Sequence, residues 1–347
     1  MANTKDMIGE QATLDALVAH ALTTFEDSDV KKLRSYSFYH QDQMQEISLP
    51  NLSNSLEQEE FEYCSGLKRV KFATNITRVI LSGTNSFRYT GKSIIYVPDN
   101  LVEDYRNSWW WSNMALRIYG ISTMPDPEWN EEEITDTWAQ LITKVNNGTA
   151  NYHLGNYKDL DCGTEGTVRC FVIGKNVDEL ASGSGTATLT FATNVILTTH
   201  RMNPANSGNT EGTGAIGGWG KCEMRTYLND TILSLLPAEV QAAIKSVKKY
   251  SGIFDTSGQL VKDDVTSDKL WLFSYKETGL GTASETLGPV YGLYFTDRAR
   301  KNQSDYPASW WMRSAQNTSD FYLVSSNGSQ SSYSAGSALG VIFGFCI

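Results

Sequence analysis

Residues 309–347 read SWWMRSAQNTSDFYLVSSNGSQSSYSAGSALGVIFGFCI, two apolar flanks around a small, polar middle. Residues 316–339 hold eight serines in 24 positions and one charge, Asp320, where average composition would give about five charges. Serine richness alone would suit a low-complexity linker. A linker is not bracketed by Trp310, Trp311 and the run Val341 to Ile347, because both flanks require burial. The middle is therefore expected to face solvent from a rigid base. Tyr, Ser, Asn and Gly in such a place are a binding-loop mixture, since rings give contact area at low entropy cost and small polar groups adapt their hydrogen bonds. A strand over 321–325 would alternate Phe321, Leu323 and Ser325 with Tyr322 and Val324, turning Val324 inward. Arg313, beside the two Trp, is assigned with them to structure, stacking and tying loops.

Upstream, glycine divides the chain: five lie in residues 1–120 and 23 in the remaining 227. Residues 11–25 (QATLDALVAHALTTF) predict an amphipathic helix carrying Leu14, Leu17, Val18, Ala21, Leu22 and Phe25 on one face, so 1–30 form an N-terminal helical segment. Next, SYSFYHQDQMQEISLP (35–50) and EEFEYCSGLKRVKFA (59–73) align at a shift of 23, pairing Phe38 with Phe61, Met44 with Leu67, Ile47 with Val70 and Leu49 with Phe72. A looser third copy, SFRYTGKSIIYVP (86–98), starts at Phe87. Each copy carries an aromatic anchor and then a short strand, and buries its apolar edge only against its neighbour. Pro98 would end the last strand, Asp99 would cap a helix, and Trp109, Trp110 and Trp111 with Leu116 and Ile118 would close the array. These residues resemble the BspA-type leucine-rich repeat over 31–120, a module that implies a spacer or binding surface.

The junction MPDPEW (124–129) opens the second part. Ile134, Trp138, Leu141, Ile142 and Val145 predict one helix, with acids at its start and Gly148 at its end. Leu235, Leu236, Val240, Ile244 and Val247 predict a second over 230–248, with Pro237 in its first turn. TATLTFATNVIL (185–198), DKLWLFSY (268–275) and the terminal VIFGFCI read as strands. The fold class is therefore α+β.

Composition and spacing narrow the chemistry. The 347 residues suggest two domains, and 40% hydrophobic with 11% aromatic residues excludes wholesale disorder. Against 39 acids stand 29 basic residues, a formal charge of -10, so nucleic acid and anionic membranes are poor partners. No apolar run spans a bilayer, and no basic-then-apolar leader opens the sequence, so membrane insertion and secretory export are not expected. Five scattered cysteines read as thiols, with a Cys162–Cys170 bridge a minor alternative. The four histidines lack metal-ligand spacing, and Asp159, Asp161 and Glu165 lack an EF-hand pattern, so neither metal nor cofactor is expected. GTGAIG (212–217) has no preceding strand to make it a dinucleotide loop, and TGKS (90–93) lacks the first glycine of a phosphate loop. No nucleophile–base arrangement appears, so an enzyme is not indicated.

SWWMRS, the Ser/Asn/Tyr-rich stretch and GVIFGFCI together resemble the variable region of diversity-generating retroelement target proteins. WGKCEMRTYLND (219–230) fits the same resemblance, which spans 124–347 with the variable region at about 310–347. The resemblance implies a C-type-lectin-like domain related to formylglycine-generating enzymes, following a short leucine-rich-repeat solenoid. It implies a diversified ligand-binding face at Asn317, Ser319, Asp320, Leu323, Ser325, Ser329, Ser331, Ser332, Tyr333, Ser334, Gly336, Ser337 and Leu339. Adenine-directed mutation of asparagine codons cannot make Gln, so Gln316 and Gln330 would be fixed or come from lysine codons. Tyr333 and Leu339 are the candidate affinity anchors, since truncating exposed apolar groups in a rigid patch usually costs the most. The calcium and sugar motifs of true C-type lectins are missing, and Cys346 has no partner cysteine near it in sequence for formylglycine chemistry. The start of the chain resembles phage tail-fibre-like proteins. The implied role is a phage-tail adhesin, or alternatively a bacterial cell-surface protein, made in the cytoplasm. It would bind a host surface protein or glycan, attach to other tail proteins through its N-terminal region, and possess the option of homo-oligomerisation. The competing readings are a formylglycine-generating-type enzyme and an inert structural virion protein.

Overall fold

The structure is a computed structural model and describes residues 22–30, 33, 36–52, 56, 60–72, 86–87, 90, 93–107, 111–122 and 129–347. The chain divides into two compact units, Met1–Trp129 and Asn130–Ile347. Among the described residues, no helix is long and apolar enough to cross a membrane.

Among the described residues the first unit holds a parallel five-stranded sheet: β1 (Thr24–Glu26), β2 (Glu46–Leu49), β3 (Arg69–Phe72), β4 (Ile94–Val97) and β5 (Ile118–Gly120), in that order. Register sets Phe25 against Ile47, Ile47 against Val70, Val70 against Ile95 and Ile95 against Ile118. The apolar residue of each strand thus stacks on its neighbour, as a repeat of about 22–25 residues requires. A second ladder is aromatic: Phe38 stacks on Phe61 at 5.5 Å and Phe61 on Phe87 at 4.9 Å, with all three buried. His40 and Tyr63, one repeat apart, both adopt the left-handed conformation (φ 62° and 61°) and stack at 4.9 Å.

Phe25 lies on a strand, which corrects the helix predicted to run through it: the ring packs edge-on against Phe38 at 5.2 Å and extends the aromatic column. Residues 11–21 of that helix lie outside the described residues. At the other end, α1 (Val102–Asn107) follows β4, but Asp99 does not cap it. Pro98 precedes the 3-10 turn Asp99–Leu101, and the Asp99 carboxylate instead accepts from the Ser122 amide at 3.1 Å. Trp111 is fully buried against Tyr105, Phe72 and Phe87 and closes the column, while Trp109 and Trp110 lie outside the described residues.

The second unit opens with α2 (Trp138–Asn146), which starts four residues later than Ile134. Its start is set by a capping box: Thr137 Oγ1 accepts from the Gln140 amide at 3.2 Å and Gln140 Oε1 from the Thr137 amide at 2.8 Å. The upstream acids therefore lie outside the first turn. Thr137→Ala is expected to cost about 1 kcal/mol in a urea titration, since it orphans an amide that Thr137 satisfies. Within the predicted helix over 230–248, Pro237 breaks the chain. A helical stretch with a π-turn at Tyr227–Ile232 precedes it, α3 (Ala238–Ala243) follows, and Val247 already belongs to a strand.

Two five-stranded sheets carry the core. One has the order β12-β19-β8-β7-β6, from β6 (Tyr157–Asp161), β7 (Thr167–Lys175), β8 (Leu189–Thr193), β12 (Leu270–Trp271) and β19 (Gly344–Cys346). The other has the order β17-β16-β15-β18-β9, from β9 (Thr198–His200), β15 (Trp310–Ala315), β16 (Asp320–Val324), β17 (Gln330–Ser334) and β18 (Leu339–Val341). A separate hairpin joins β10 (Val247–Phe254) to β11 (Leu260–Asp268), and β13 (Arg300–Lys301) pairs with β14 (Pro307–Ala308). DKLWLFSY yields only the two-residue β12. The run Val341 to Ile347 passes from β18 into β19, so it serves both sheets and every residue of it is buried. All five cysteines are free and buried, which removes the Cys162–Cys170 bridge.

Candidate recognition surface

The surface is built on β15, whose six residues are all buried. The Trp311 indole N–H donates to the His200 carbonyl and that of Trp310 to the Arg298 carbonyl, each at 3.0 Å, so both rings are buried without an orphaned donor. Arg313 is 1% exposed and ties together three segments. It donates to Glu277 Oε2 at 2.5 Å, the Leu272 carbonyl at 2.6 Å and the Tyr250 carbonyl at 2.8 Å. Cations lie instead over other Trp rings: Lys249 is 3.7 Å from the Trp271 centroid and Lys158 is 5.8 Å from that of Trp138.

From this base, residues 316–339 continue as β16, β17 and β18, with β17 at the sheet edge. Phe321 and Leu323 pack into the core, Leu323 at 4% exposure, which corrects its predicted place on the outer face. Val324 is buried as well. The sheet is covered on both sides: Tyr322 rests on Tyr275 at 4.5 Å and Trp310 stacks on Phe295 at 5.9 Å. Alternation distinguishes two faces but not how many are covered.

Beyond β16 the side chains emerge. Ser329, Ser331, Ser334 and Gly336 are exposed and Tyr333 is 57% exposed, while Ser332, Ser337 and Leu339 are half-buried. Phe321 opposes Tyr333 and Leu323 opposes Ser331, so Tyr333 and Ser331 continue the core-facing row past the end of the core. Asn317, Ser319, Asp320 and Ser325 are also half-buried, and several shape turns. Asn317 Oδ1 accepts from the Ser319 and Asp320 amides at 2.7 and 2.9 Å, and its amide group donates to Asp320 Oδ2. Ser325 Oγ donates to the Ser329 carbonyl at 2.9 Å across the β16–β17 turn, with Gly328 at φ 85°. Gln330 Oε1 takes the Tyr275 hydroxyl at 2.5 Å.

Sequence reasoning missed the companion loop 203–218, NPANSGNTEGTGAIGG, of which it weighed only GTGAIG (212–217), as a dinucleotide loop lacking its strand. Asn206 Nδ2 donates to the Thr318 carbonyl at 3.1 Å, and the Met202 and Asn203 amides donate to the Ala335 carbonyl. At Gly214 (φ 55°) an added Cβ would meet the Thr318 carbonyl at 2.5 Å, so the loop approaches the 317–319 turn backbone to backbone. Asparagine and glycine density at 203–218 was the available signal. WGKCEMRTYLND supports the neighbouring region: the Trp219 indole and Arg225 guanidinium donate to the two oxygens of Asp268 at 3.1 and 2.6 Å.

Elsewhere on this unit a concavity of about 350 Å³ is lined by Asp159, Thr167, Arg169, Asn194, Asn302 and Gln303. Its one guanidinium already pairs with Asp159 at 3.3 Å and lies 3.8 Å over the Tyr157 ring. Among the described residues, no group of three or more His, Cys, Asp or Glu could hold a metal ion.

Residues 20–114 match the BspA type leucine rich repeat region in six copies. The N-terminal region is a BspA-type leucine-rich repeat array. The matched span opens upstream of β1, in keeping with Phe25 belonging to the array, and covers more copies than the three legible in the sequence. Residues 192–347 match a domain of unknown function (DUF6273), a span that begins in β8 and includes the whole of 316–339. No curated protein and no solved structure matches the chain.

Proposed function

We propose that the chain is a diversified ligand-binding protein whose second unit is a C-type-lectin-like display domain. In this reading the BspA-type repeats are a spacer and the N-terminal segment an attachment to a phage tail, the target being a host surface protein or glycan. One observation carries the reading: a serine-rich, almost uncharged segment forms an ordered edge hairpin on a fully buried base. Small polar side chains and the Tyr333 ring face solvent from it. An inert linker has no need of such a base, and the mixed α+β unit with its SWWMRS and GVIFGFCI flanks supports the resemblance to variable proteins.

Tolerance to substitution separates display from packing. Replacing Ser329, Ser331, Ser332, Tyr333 and Ser334 together with other small polar or aromatic residues is expected to hold unfolding free energy within about 0.5 kcal/mol per site. Leu323→Ala is expected to cost about 2–5 kcal/mol. Urea titrations of both variants measure this. Sequencing the locus across a population tests the function itself. Variation concentrated at the exposed positions of 316–339, beside an adenine-rich near-repeat and a reverse transcriptase gene, is the expected result. Variation spread evenly over the chain removes the proposal.

A further inference from the structure

Behind the display sheet lies a closed cluster of charge. Lys249 of β10 and Asp178, in the turn after β7, have side chains with 0% exposure, and Lys249 Nζ stands 2.5 Å from Asp178 Oδ1. Glu277, 1% exposed, places Oε1 3.1 Å from the same nitrogen. The Tyr291 hydroxyl donates to both Asp178 oxygens at 2.7 and 2.9 Å, and the Thr190 hydroxyl donates to Oδ2. Trp271 closes one side of the ammonium. Two cations, Lys249 and Arg313, face the carboxylates of Asp178 and Glu277.

We propose that Lys249 and Asp178 condense to an intramolecular isopeptide bond, with Glu277 as proton carrier. An amine and an acid do not condense readily in water, because hydration holds both as ions. Burial withdraws that hydration and brings the neutral pair, reached by moving one proton from Nζ to Asp178, closer in energy to the ionic one. Burial pushes the Asp178 carboxyl up, but the Lys249 ammonium together with the Thr190 and Tyr291 hydroxyls more than offsets this and holds it below its usual range, so the carboxylate form is favoured at rest. Reaction therefore proceeds through the minority neutral pair, and the bond matures after folding.

In the step, the Nζ lone pair attacks Asp178 Cγ, and the Thr190 and Tyr291 hydroxyls take up the charge that develops on Oδ2. Glu277 accepts a proton from Nζ and returns it to the departing oxygen. One C–N bond forms, one C–O bond breaks and one water leaves, with no change of oxidation state. Glu277 is the poorer acceptor of the amine. The Arg313 guanidinium and the Ser274 amide hold its Oε2, at 2.5 and 3.0 Å, and keep it anionic. The link would join positions 71 residues apart in a domain whose cysteines are all free.

Intact-mass measurement of the purified, denatured full chain tests this. The expected mass is lower than the sequence mass by one water, about 18 Da, with a proteolytic fragment joining the peptides of Lys249 and Asp178. Glu277→Gln, shown folded by circular dichroism, is expected to retain the full mass, and Lys249→Arg likewise. A folded parent chain that keeps its full mass after days of incubation overturns the proposal without recourse to any variant. A link mapped to Glu277 overturns the assigned acceptor, and a cross-linked Glu277→Gln overturns the proton carrier.

Discussion

Arg313→Ala is expected to destabilise the second unit by about 3–5 kcal/mol at neutral pH, measured as a fall in the guanidinium midpoint at constant slope. The substitution removes more than a packed side chain. Arg313 is the donor at 2.5 Å to Glu277, and the Leu272 and Tyr250 carbonyls take two more of its N–H groups. Without it, the buried Glu277 carboxylate loses its guanidinium partner and the two carbonyls lose their donors. The acid limb provides a second readout. Burial pushes the Glu277 carboxyl up, but Arg313 and then Lys249 more than offset this, so it lies below its usual range in the folded chain. The unfolded state then binds the extra proton first as pH falls. The stabilisation is fully present above the ordinary glutamate range and is lost as pH drops through the folded value. Removing Arg313 shrinks that term, so the gap between parent and variant is expected to narrow in acid. A gap that stays constant between pH 7 and pH 4 would mean that Arg313 acts through packing alone.

The cluster around Arg313 also marks where sequence reading stops. Asp178, Lys249, Glu277 and Arg313 share no spacing; Arg313 reads as structural only through the two Trp beside it, and the other three read alone as solvated surface charges. Their meeting depends on β10, on the segment after β12 and on β15 arriving at one point. The flanks of 316–339 were legible, because Trp310, Trp311 and the terminal apolar run have no low-energy place in water. The face assigned to Leu323 was not. Periodicity cannot reveal that residues 275–295 cover the far side of the sheet, as Tyr275 on Tyr322 and Phe295 on Trp310 do. The repeats were legible at Phe38, Phe61 and Phe87, where an anchor and a strand recur in register. β1 was not, because three residues, Thr24–Glu26, are too few to show a strand pattern and Phe25 also fits the helical spacing of Leu14 to Leu22.

That aromatic column sets the largest expected effect in the first unit. Phe61→Ala is expected to cost about 3–5 kcal/mol, more than the same change at Phe25. Phe61 lies between two rings, Phe38 at 5.5 Å and Phe87 at 4.9 Å, and is fully buried, so truncation opens a cavity walled by both neighbours. Its amide also donates to the Ser86 carbonyl while the Phe38 amide donates to the Glu60 carbonyl, which ties successive turns through the same position. A solenoid is stable only through contacts between adjacent repeats, and a defect in the middle weakens two interfaces at once. Among the described residues Phe25 has one aromatic neighbour, Phe38 at 5.2 Å, and it retains 5% exposure, so its loss is expected to open a smaller defect. Calorimetric unfolding of both variants decides the point. Equal shifts for the two would mean that the rings are not coupled along the array and that each repeat holds its own core.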